Sequence, residues 1–547
     1  MNIKKYILPL MAFAALSACN QEEINTNIYG VSDDDLRLGG LDYGTALMDM
    51  EQQVISIGSP NETTGPGNDL QATDLISSGS YIGYFGNNNN WSSNIEASWN
   101  FVDGRMDYIY NQLYTDVTKP WVTIYKLAKD SQKPSDKRIL AIANIVKVMG
   151  WLRATDAFGP IVYTQAGSGS ITPTPDSQEV VYKGMLKELS EATAVLRDAQ
   201  AKILPNSDLV YDGDPAAWVR LANSLMLRMA VRVHFKDQAL AQEYITKATD
   251  PANGGLIVQA NQVAKVASSS KLPLRSPYLA SVDEYKETRM GATIWAYLDG
   301  FKDPRNEKLF KEAEDPRIEL YGLPKRMPLA PTGSQPKTDE RAKASVPRVI
   351  EKNEVIWFRA SETKFLLAEA ALYGLYNNES AQSLYEAGIK LSFEELGASG
   401  AKEYYSQEDV KPSELSSAMN SIFSSPYSDN IANGNIVPLW DENASQEKKL
   451  QRIITQKYIA LYPNAIEAWT EYRRTGYPYI MKPQDGTAIT RIGGVYGGKQ
   501  RTPERFSFPA SSYSNNPNLS VIPKLLGGKD EGITKLWWVR DNRPVQQ

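Results

Sequence analysis

Cysteine and histidine are nearly missing from this chain, which has one cysteine, Cys19, and one histidine, His234, in 547 residues. A disulfide within the chain is therefore excluded, and so is a zinc site that needs several histidine or cysteine ligands. Also missing are the Gly-x-Ser-x-Gly elbow of serine hydrolases and a glycine-rich phosphate loop followed by Lys-Ser or Lys-Thr. We interpret His234, which follows a strongly helical stretch, as a packed or solvated residue at a helix end.

Paired carboxylates are the one catalytic arrangement that the composition leaves open, because aspartate and glutamate total 64. Glycoside hydrolases use two such groups, but a separation in space cannot be read from a sequence. Glu467 and Glu471 are four residues apart and so share one face of a predicted helix. Because Arg473 and Arg474 follow closely, we interpret this face as solvated and ionic. The sequence gives no positive sign of an enzyme.

Basic residues are fewer than acidic ones, and the formal net charge is −5. The net charge falls to −7 if Lys4 and Lys5 are removed with an N-terminal signal. A nucleic-acid-binding protein normally shows a basic patch or a high pI. The charges here are mixed along the chain rather than grouped, so a charged tail is not indicated either. We therefore expect no nucleic-acid partner.

Long apolar runs are confined to the N-terminus, where Tyr6–Ala18 follows the two lysines. This is the layout of a secretory signal, and it is shorter than the roughly 20 residues that cross a bilayer. The run ends in Leu16-Ser17-Ala18-Cys19, which resembles the lipobox of bacterial lipoproteins. We predict a signal peptide over residues 1–18, lipidation of Cys19, and a body over residues 19–547 that begins with a flexible tether over 19–35. Several acyl chains, at about 0.8 kcal/mol per buried CH₂, would give a lasting anchor.

The rest of the chain is dominated by helical periodicity, and alternation typical of strands is scarce. Apolar residues recur every three or four positions from Ile142 to Leu152, and the pattern stops at Asp156-Ala157-Phe158-Gly159-Pro160. Asp214 can cap a helix that starts at Pro215. Helices are also predicted over 365–376, 450–461 and 465–474. Helix pairs of roughly 30–40 residues suggest units like tetratricopeptide repeats, joined by long loops.

Several motifs follow one another over nearly the whole chain after the lipobox. They are Asp156–Tyr163, Asp208–Asp214 with Trp218 and Ala222–Leu225, Asp303-Pro304-Arg305, Phe365–Ala370, Gln456–Leu461, Glu467-Ala468-Trp469 leading to Arg473–Pro478, Pro503–Phe506 and Leu536-Trp537-Trp538. Their order resembles one known family, the SusD/RagB nutrient-binding lipoproteins. Two segments depart from its pattern: Pro160 stands where an acidic residue is common, and Phe508-Pro509-Ala510 varies the usual Tyr-Pro-x-Glu.

The resemblance implies an all-α body with tetratricopeptide-like helix pairs and a loop-rich ligand-binding lobe. It also implies a lipid-anchored location on the outer membrane of a Gram-negative bacterium, facing the exterior, and a SusC-like TonB-dependent transporter as partner. The protein would capture a glycan or, in some members, a peptide, without catalysis and without a cofactor. The resemblance leaves open whether a structural calcium ion binds, for example at Asp212-Gly213-Asp214. The acidic residues of Asn20–Glu23 resemble a surface-export signal, although a solvated linker would look the same.

Two segments offer the aromatic surface that a sugar binder needs. From Tyr81 to Trp99, glycines break the pattern, so we expect a loop with exposed rings. From Tyr278 to Tyr297, aromatics again accompany an arginine. The family often draws ligand contacts from these two regions, and the predicted ligand-binding residues are Tyr81, Tyr84, Asn88, Trp91, Tyr278, Tyr285 and Arg289.

Other aromatic residues are interpreted as packing residues, and the same holds for the arginines of the Arg473–Pro478 motif. This set comprises Trp99, Trp121, Trp218, Trp295, Tyr297, Trp469, Trp537 and Trp538. The sequence leaves three functions open: capture of a glycan, capture of a peptide, and a helical interaction scaffold with no small ligand.

Overall fold

The structure is a computed structural model, and it describes residues 41–57, 70–88, 103–329, 338–415, 431, 436–481 and 503–544. The predicted signal peptide, the lipidation site Cys19, the tether, Trp91 and Trp99 all lie outside the described residues.

Helices make up most of the described structure, as the periodicity predicts. Those of nine residues or more are α1 (Leu41–Val54), α2 (Asp116–Ala128), α3 (Pro134–Phe158), α4 (Gln178–Leu196), α5 (Pro215–Val233), α6 (Gln238–Thr249), α7 (Ala292–Gly300), α8 (Ala360–Leu372), α9 (Ala381–Leu396), α10 (Gln446–Leu461) and α11 (Ala465–Thr475).

Shorter elements connect these helices. The short α-helices are Gly79–Tyr81, Asp103–Tyr110, Asn306–Leu309, Arg317–Tyr321, Asp339–Ala342, Ala401–Tyr405, Ala510–Asn515 and Ile522–Leu526. The π- and 3₁₀-turns are Gln71–Ser78, Asn111–Thr115, Pro251–Asn253, Ala260–Gln262, Ala280–Glu284, Arg348–Glu351 and Pro517–Val521. Four short strands, β1 (Phe85–Asn87), β2 (Ala264–Ala267), β3 (Thr288–Met290) and β4 (Glu354–Phe358), form two separate antiparallel pairs, β1 with β3 and β2 with β4.

The helix boundaries follow the local signals in the sequence. Asp214 accepts the Ala216 N–H at 2.9 Å, and Pro215 occupies the first turn of α5, so the predicted cap is confirmed. Helix α3 ends at Phe158 because Gly159 has a φ of +93°, and a side chain there would also meet Leu526 and Leu536. Every helix predicted from periodicity is present, although the helix predicted over 365–376 runs from Ala360 to Leu372.

Sequential helices pack against one another, which gives the all-α architecture with tetratricopeptide-like pairs that we expected. Helix α1 packs on α2 and α3, and the series continues through α4, α5 and α6. A second group consists of the α8–α9 pair together with α10 and α11, and α5 and α3 join the two groups. No helix in the described ranges combines the length and apolarity that a membrane span requires.

Buried ion pairs hold these helices together at their centre. On α5, Arg228 makes two bonds of 2.6 and 2.7 Å to Glu362 of α8. Arg232, one turn later, pairs with Asp156 of α3 at 2.6 Å and with Glu467 of α11. All of these side chains are buried. The arginine stripe of α5 is therefore an internal surface that three other helices contact.

The same cluster continues along α11, one and two turns after Glu467. Arg474 makes two bonds of 2.6 and 2.7 Å to Glu369 of α8 and a third of 2.6 Å to Glu471. Lys457 of α10 lies 3.2 Å from Glu471, and His234 bonds to Glu369 at 2.9 Å. We call this cluster the ionic frame; its members are Asp156, Arg228, Arg232, His234, Glu362, Glu369, Lys457, Glu467, Glu471 and Arg474.

The ionic frame corrects one interpretation of the sequence. Glu467 and Glu471 do share a helix face, but that face is buried instead of solvated. Its polarity is matched by arginines from α5 and α11 rather than by water. Since periodicity shows only that a polar stripe exists, it cannot show whether the stripe meets solvent or a second polar stripe.

The residues interpreted as packing residues are buried in the core or packed against it wherever the structure describes them. Trp121, Trp218, Trp295, Tyr297, Trp469 and Trp538 are buried, and Trp537 is half-buried. Arg473 is buried too, with its guanidinium 3.5 Å from the ring centroid of Trp469. It donates to the carbonyls of Asp156 and Glu504, so it connects α11 to the end of α3 and to the C-terminal segment. Its structural role is confirmed.

We predict that Glu369→Gln lowers the free energy of unfolding at neutral pH. The difference in this free energy between variant and wild type should become smaller in acid. Burial alone would raise the pKa of Glu369, but Arg474 and His234 outweigh it and lower the pKa from 4.5 to about 2. The carboxylate thus stabilises the fold fully above pH 4.5, and this contribution is lost as the pH falls towards 2. At pH 7 we expect a loss of about 3–5 kcal/mol in the free energy of unfolding, as for other broken buried pairs.

Urea unfolding at pH 7, 5, 4 and 3 measures this difference. Glu243→Gln is the matched control, because Glu243 pairs with Lys247 at 2.6 Å on the exposed surface of α6 and should change little at any pH. A difference between wild type and Glu369→Gln that stays constant from pH 7 to pH 3 would contradict the assignment.

Candidate ligand-binding site

The two segments predicted to bind ligand lie side by side, although about 200 residues separate them in the sequence. Strand β1 of the first segment pairs with β3 of the second, with Phe85 opposite Met290, Gly86 opposite Arg289 and Asn87 opposite Thr288. The sequence indicated both segments but not their pairing. A ligand that contacts one of them would therefore be close to the other.

The expectation of exposed rings at Tyr81 and Tyr84 is wrong. Tyr84 is 0% exposed, donates its hydroxyl to the carbonyl of Tyr458 and lies 4.6 Å from the Tyr458 ring. Tyr81 is buried 5.5 Å from the ring of Trp469. Burial also raises the pKa of Tyr84 well above its usual value. Both rings pack onto α10 and α11 and present no face to a ligand.

A glycine explains why this segment is buried. Gly83 has a φ of +68°, and a Cβ there would come within 2.3 Å of the Thr293 hydroxyl on α7. The glycine thus lets the backbone approach α7 closely, which draws the neighbouring Tyr84 inward. The same glycines that suggested an exposed loop permit close packing instead.

Asn88 is buried as well, at the point where the first segment leaves the sheet. Its backbone N–H donates to Glu287 at 2.6 Å, and its side-chain amide donates to the carbonyls of Thr338 and Lys286 at 3.2 and 3.3 Å. The Thr338 N–H in turn donates to the side-chain oxygen Oδ1 of Asn88 at 3.3 Å. Asn88 is therefore held between the second segment and Thr338. Residues 89–102, which include Trp91, lie outside the described structure.

Arg289 and Tyr278 are buried and act inside the fold. Arg289 donates to the carbonyls of Val282 and Ala342 at 2.7 and 2.8 Å, and burial lowers its pKa to about 10. Tyr278 lies in the core, where burial raises its pKa. As placed, Arg289 has its donors on the backbone, so it braces the turn before β3.

Among the predicted residues that the structure describes, Tyr285 is the exposed one, with 39% of its surface accessible. It follows the π-turn Ala280–Glu284, and its N–H donates to the Ala280 carbonyl at 2.8 Å. The next residues, Lys286 and Glu287, supply the carbonyls that bind Asn88. Tyr285 therefore lies beside the point where the chain continues towards Trp91. We call Tyr285, β1 and β3 the tyrosine face.

The structure also has a cavity of about 860 Å³, which the sequence did not indicate. It lies between the β2–β4 sheet and the end of α10, and Tyr278, Tyr462, Arg348 and Arg359 are among its lining residues. The available sequence signal for β4 was the run Val355-Ile356-Trp357-Phe358, because β-branched and aromatic residues favour strands. The predominance of helical periodicity hid it.

The loop at Asp212-Gly213-Asp214 uses its carboxylates internally. Asp212 pairs with Lys271 at 2.5 Å, which lowers the pKa of Asp212, and Asp214 caps α5. The preceding Asp208 accepts the N–H groups of Val210, Tyr211 and Gly213. Across the part of the chain that the structure describes, no group of three or more His, Cys, Asp or Glu residues is placed to hold a metal ion.

Comparison with known proteins gives a family match over most of the chain. The model of the SusD-like family, described as Susd and RagB outer membrane lipoprotein, matches residues 23–539. No curated protein sequence matches the chain.

Solved structures of similar proteins agree with this match. The structure of BT1043 is 53% identical in sequence and superposes with a TM-score of 0.87 over 93% of this chain and 100% of that one. A chitin-binding SusD homologue from Flavobacterium johnsoniae is 29% identical, with a TM-score of 0.80 over 92% of this chain and 99% of that one. A SusD homologue from Bacteroides uniformis is 30% identical, with a TM-score of 0.79 over 91% and 99%.

We predict that Tyr84→Phe lowers stability and leaves ligand binding unchanged. The substitution keeps the ring contacts with Tyr458 and Tyr462 but leaves the Tyr458 carbonyl without its donor, at a cost of about 1–3 kcal/mol. Thermal unfolding measures the effect on stability, and calorimetric titration with a glycan that the wild-type protein binds measures the effect on affinity. Weaker binding by a variant that unfolds like wild type would show that Tyr84 does contact the ligand.

Proposed function

Because the chain belongs to the SusD-like family of outer-membrane lipoproteins, we propose that it captures a glycan at the cell surface without altering it chemically. The tyrosine face carries this proposal, since it joins the two segments in which aromatic residues concentrate and leaves Tyr285 exposed. The chitin-binding relative from Flavobacterium johnsoniae supports a sugar as the class of ligand.

The chemistry of sugars suits this face. A sugar ring has patches of C–H that pack on a tyrosine or tryptophan ring and bury about 50–100 Å², which is worth about 1–2.5 kcal/mol. Asn88 and Arg289 hold the backbone beneath Tyr285 through buried hydrogen bonds. Trp91, which follows Asn88 closely, remains our prediction for a second ring. Two such contacts give the weak binding that a protein needs if it is to release its ligand again.

A binding role also agrees with the state of the carboxylates. Glu467 and Glu471, the pair that resembled a catalytic arrangement, are buried and paired with arginine or lysine. Neither can reach a substrate as placed. Among the described residues, the buried acids of the ionic frame serve the fold.

Release of the glycan inward would require a transport partner. We propose a SusC-like TonB-dependent transporter, with the protein held beside it by lipid on Cys19 and facing the cell exterior. Capture of a peptide is the alternative ligand, and a scaffold without a small ligand is the alternative class.

We predict that Tyr285→Ala and Trp91→Ala each weaken glycan binding roughly tenfold, the loss of one ring contact. The measurement is affinity electrophoresis and calorimetry of the soluble chain that begins after Cys19, against oligomers of N-acetylglucosamine, maltoheptaose, xylohexaose and a mixed peptide pool. Ile171→Ala is the control, because Ile171 is 93% exposed on a loop remote from the tyrosine face in sequence.

Each outcome distinguishes the hypotheses. Retention by a glycan that both aromatic variants weaken supports capture at the tyrosine face. Binding of peptides and of no glycan would show that the ligand is a peptide. Glycan binding that neither variant changes would refute the tyrosine face as the site.

A further inference from the structure

The 860 Å³ cavity is a second place where a ligand can be held. Its walls come from the β2–β4 sheet, the 3₁₀-turn Arg348–Glu351, the C-terminus of α9 and residues 462–463 after α10. Its volume is within the range of about 300–1,000 Å³ that small-molecule sites occupy. A monosaccharide or disaccharide would fit.

Three polar atoms around this cavity are buried without a hydrogen-bond partner: the hydroxyl of Tyr462, Nη1 of Arg359 and Nε of Arg348. Tyr462 is 1% exposed, and its ring is fixed against Tyr84, Phe85 and Phe310 at 5.2–5.6 Å. Most buried polar groups in proteins are paired, because an unpaired one costs about 1–3 kcal/mol. Three residues that line one cavity therefore each carry a donor that the fold leaves unpaired, which favours a ligand with oxygen acceptors there.

The charges around the cavity favour an anion, because its acids already have partners. Glu351 accepts two bonds of 3.0 Å from Arg348, Glu354 lies 2.7 Å from Lys265, and Glu307 lies 3.4 Å from Lys308. Glu395 accepts from the N–H and hydroxyl of Ser361 at 2.9 and 2.6 Å.

Three of the cations around the cavity have no acidic partner. Within the described residues, none of Arg326, Lys352 and Arg359 forms an ion pair. The charge of Arg359 does oppose the rise that burial causes in the pKa of Glu395. The lining of the cavity therefore carries more positive than negative charge, in a protein whose net charge is −5.

We propose that this cavity, which we call the arginine cavity, binds a sugar that carries a carboxylate or a sulfate. A guanidinium offers planar paired donors that match the oxygens of either group. Leu309, Ile356 and Leu396 supply apolar wall against which the C–H face of a sugar ring can pack. The choice of a sugar rests on the proposed function, whereas the selection of an anion rests on the cavity alone.

The test is calorimetric titration of the soluble chain with glucuronic acid, glucose 6-sulfate and neutral glucose. We expect one or both anionic sugars to bind at least tenfold more tightly than glucose, and comparison of the two distinguishes carboxylate from sulfate. Arg359→Met and Tyr462→Phe should each weaken that binding about tenfold. Arg359→Lys should restore part of it, because it keeps the charge but not the paired donors.

Arg197→Met is the matched control, since Arg197 is 43% exposed after α4 and does not line the cavity. Equal affinity for glucose and the anionic sugars, no binding of either anionic sugar, or unchanged binding by Arg359→Met and Tyr462→Phe would each overturn the proposal. Tyr285→Ala should leave this binding intact. Loss of glycan retention with intact binding of the anionic sugars would count against the tyrosine face and not against the arginine cavity.

Discussion

Three buried arginines, Arg228, Arg232 and Arg474, must each meet carboxylates from other helices, and the packing of the protein depends on that requirement. An ion removed from water loses several kcal/mol of solvation, which only close, well-directed partners can offset. The ionic frame therefore allows little sliding between α3, α5, α8, α10 and α11. Apolar packing alone would tolerate more displacement, since the hydrophobic effect has no direction.

The ionic frame positions the tyrosine face through contacts made by α10. Lys457 contacts Glu471 inside the frame, and its neighbour Tyr458 contacts the first ligand segment. The Tyr458 carbonyl accepts the Tyr84 hydroxyl, while the Tyr458 hydroxyl donates to the Ile82 carbonyl at 3.0 Å. Strand β1 is thus attached to the helix that the frame holds, and β3 follows by pairing with β1. Binding residues on loops gain precision when a rigid scaffold supports them in this way.

Sequence patterns predicted the helices well, because apolar periodicity and the cap at Asp214 are local signals. They also identified the family and both segments of the tyrosine face. They failed where the outcome depended on what lies opposite a residue: Glu467 and Glu471 face arginines rather than water, and Gly83 brings Tyr84 inward. The arginine cavity could not be foreseen for the same reason. Its lining residues lie between positions 260 and 463, and only the fold brings them together.

Hydrogen–deuterium exchange of the soluble chain, with and without the glycan that it retains in affinity electrophoresis, tests the central claim most directly. Ligand held at the tyrosine face should slow exchange in peptides that cover residues 81–102 and 278–291, while peptides from α4 and α6 should be unaffected. Slower exchange confined to other parts of the chain, with both of these segments unchanged at saturating glycan, would contradict the account.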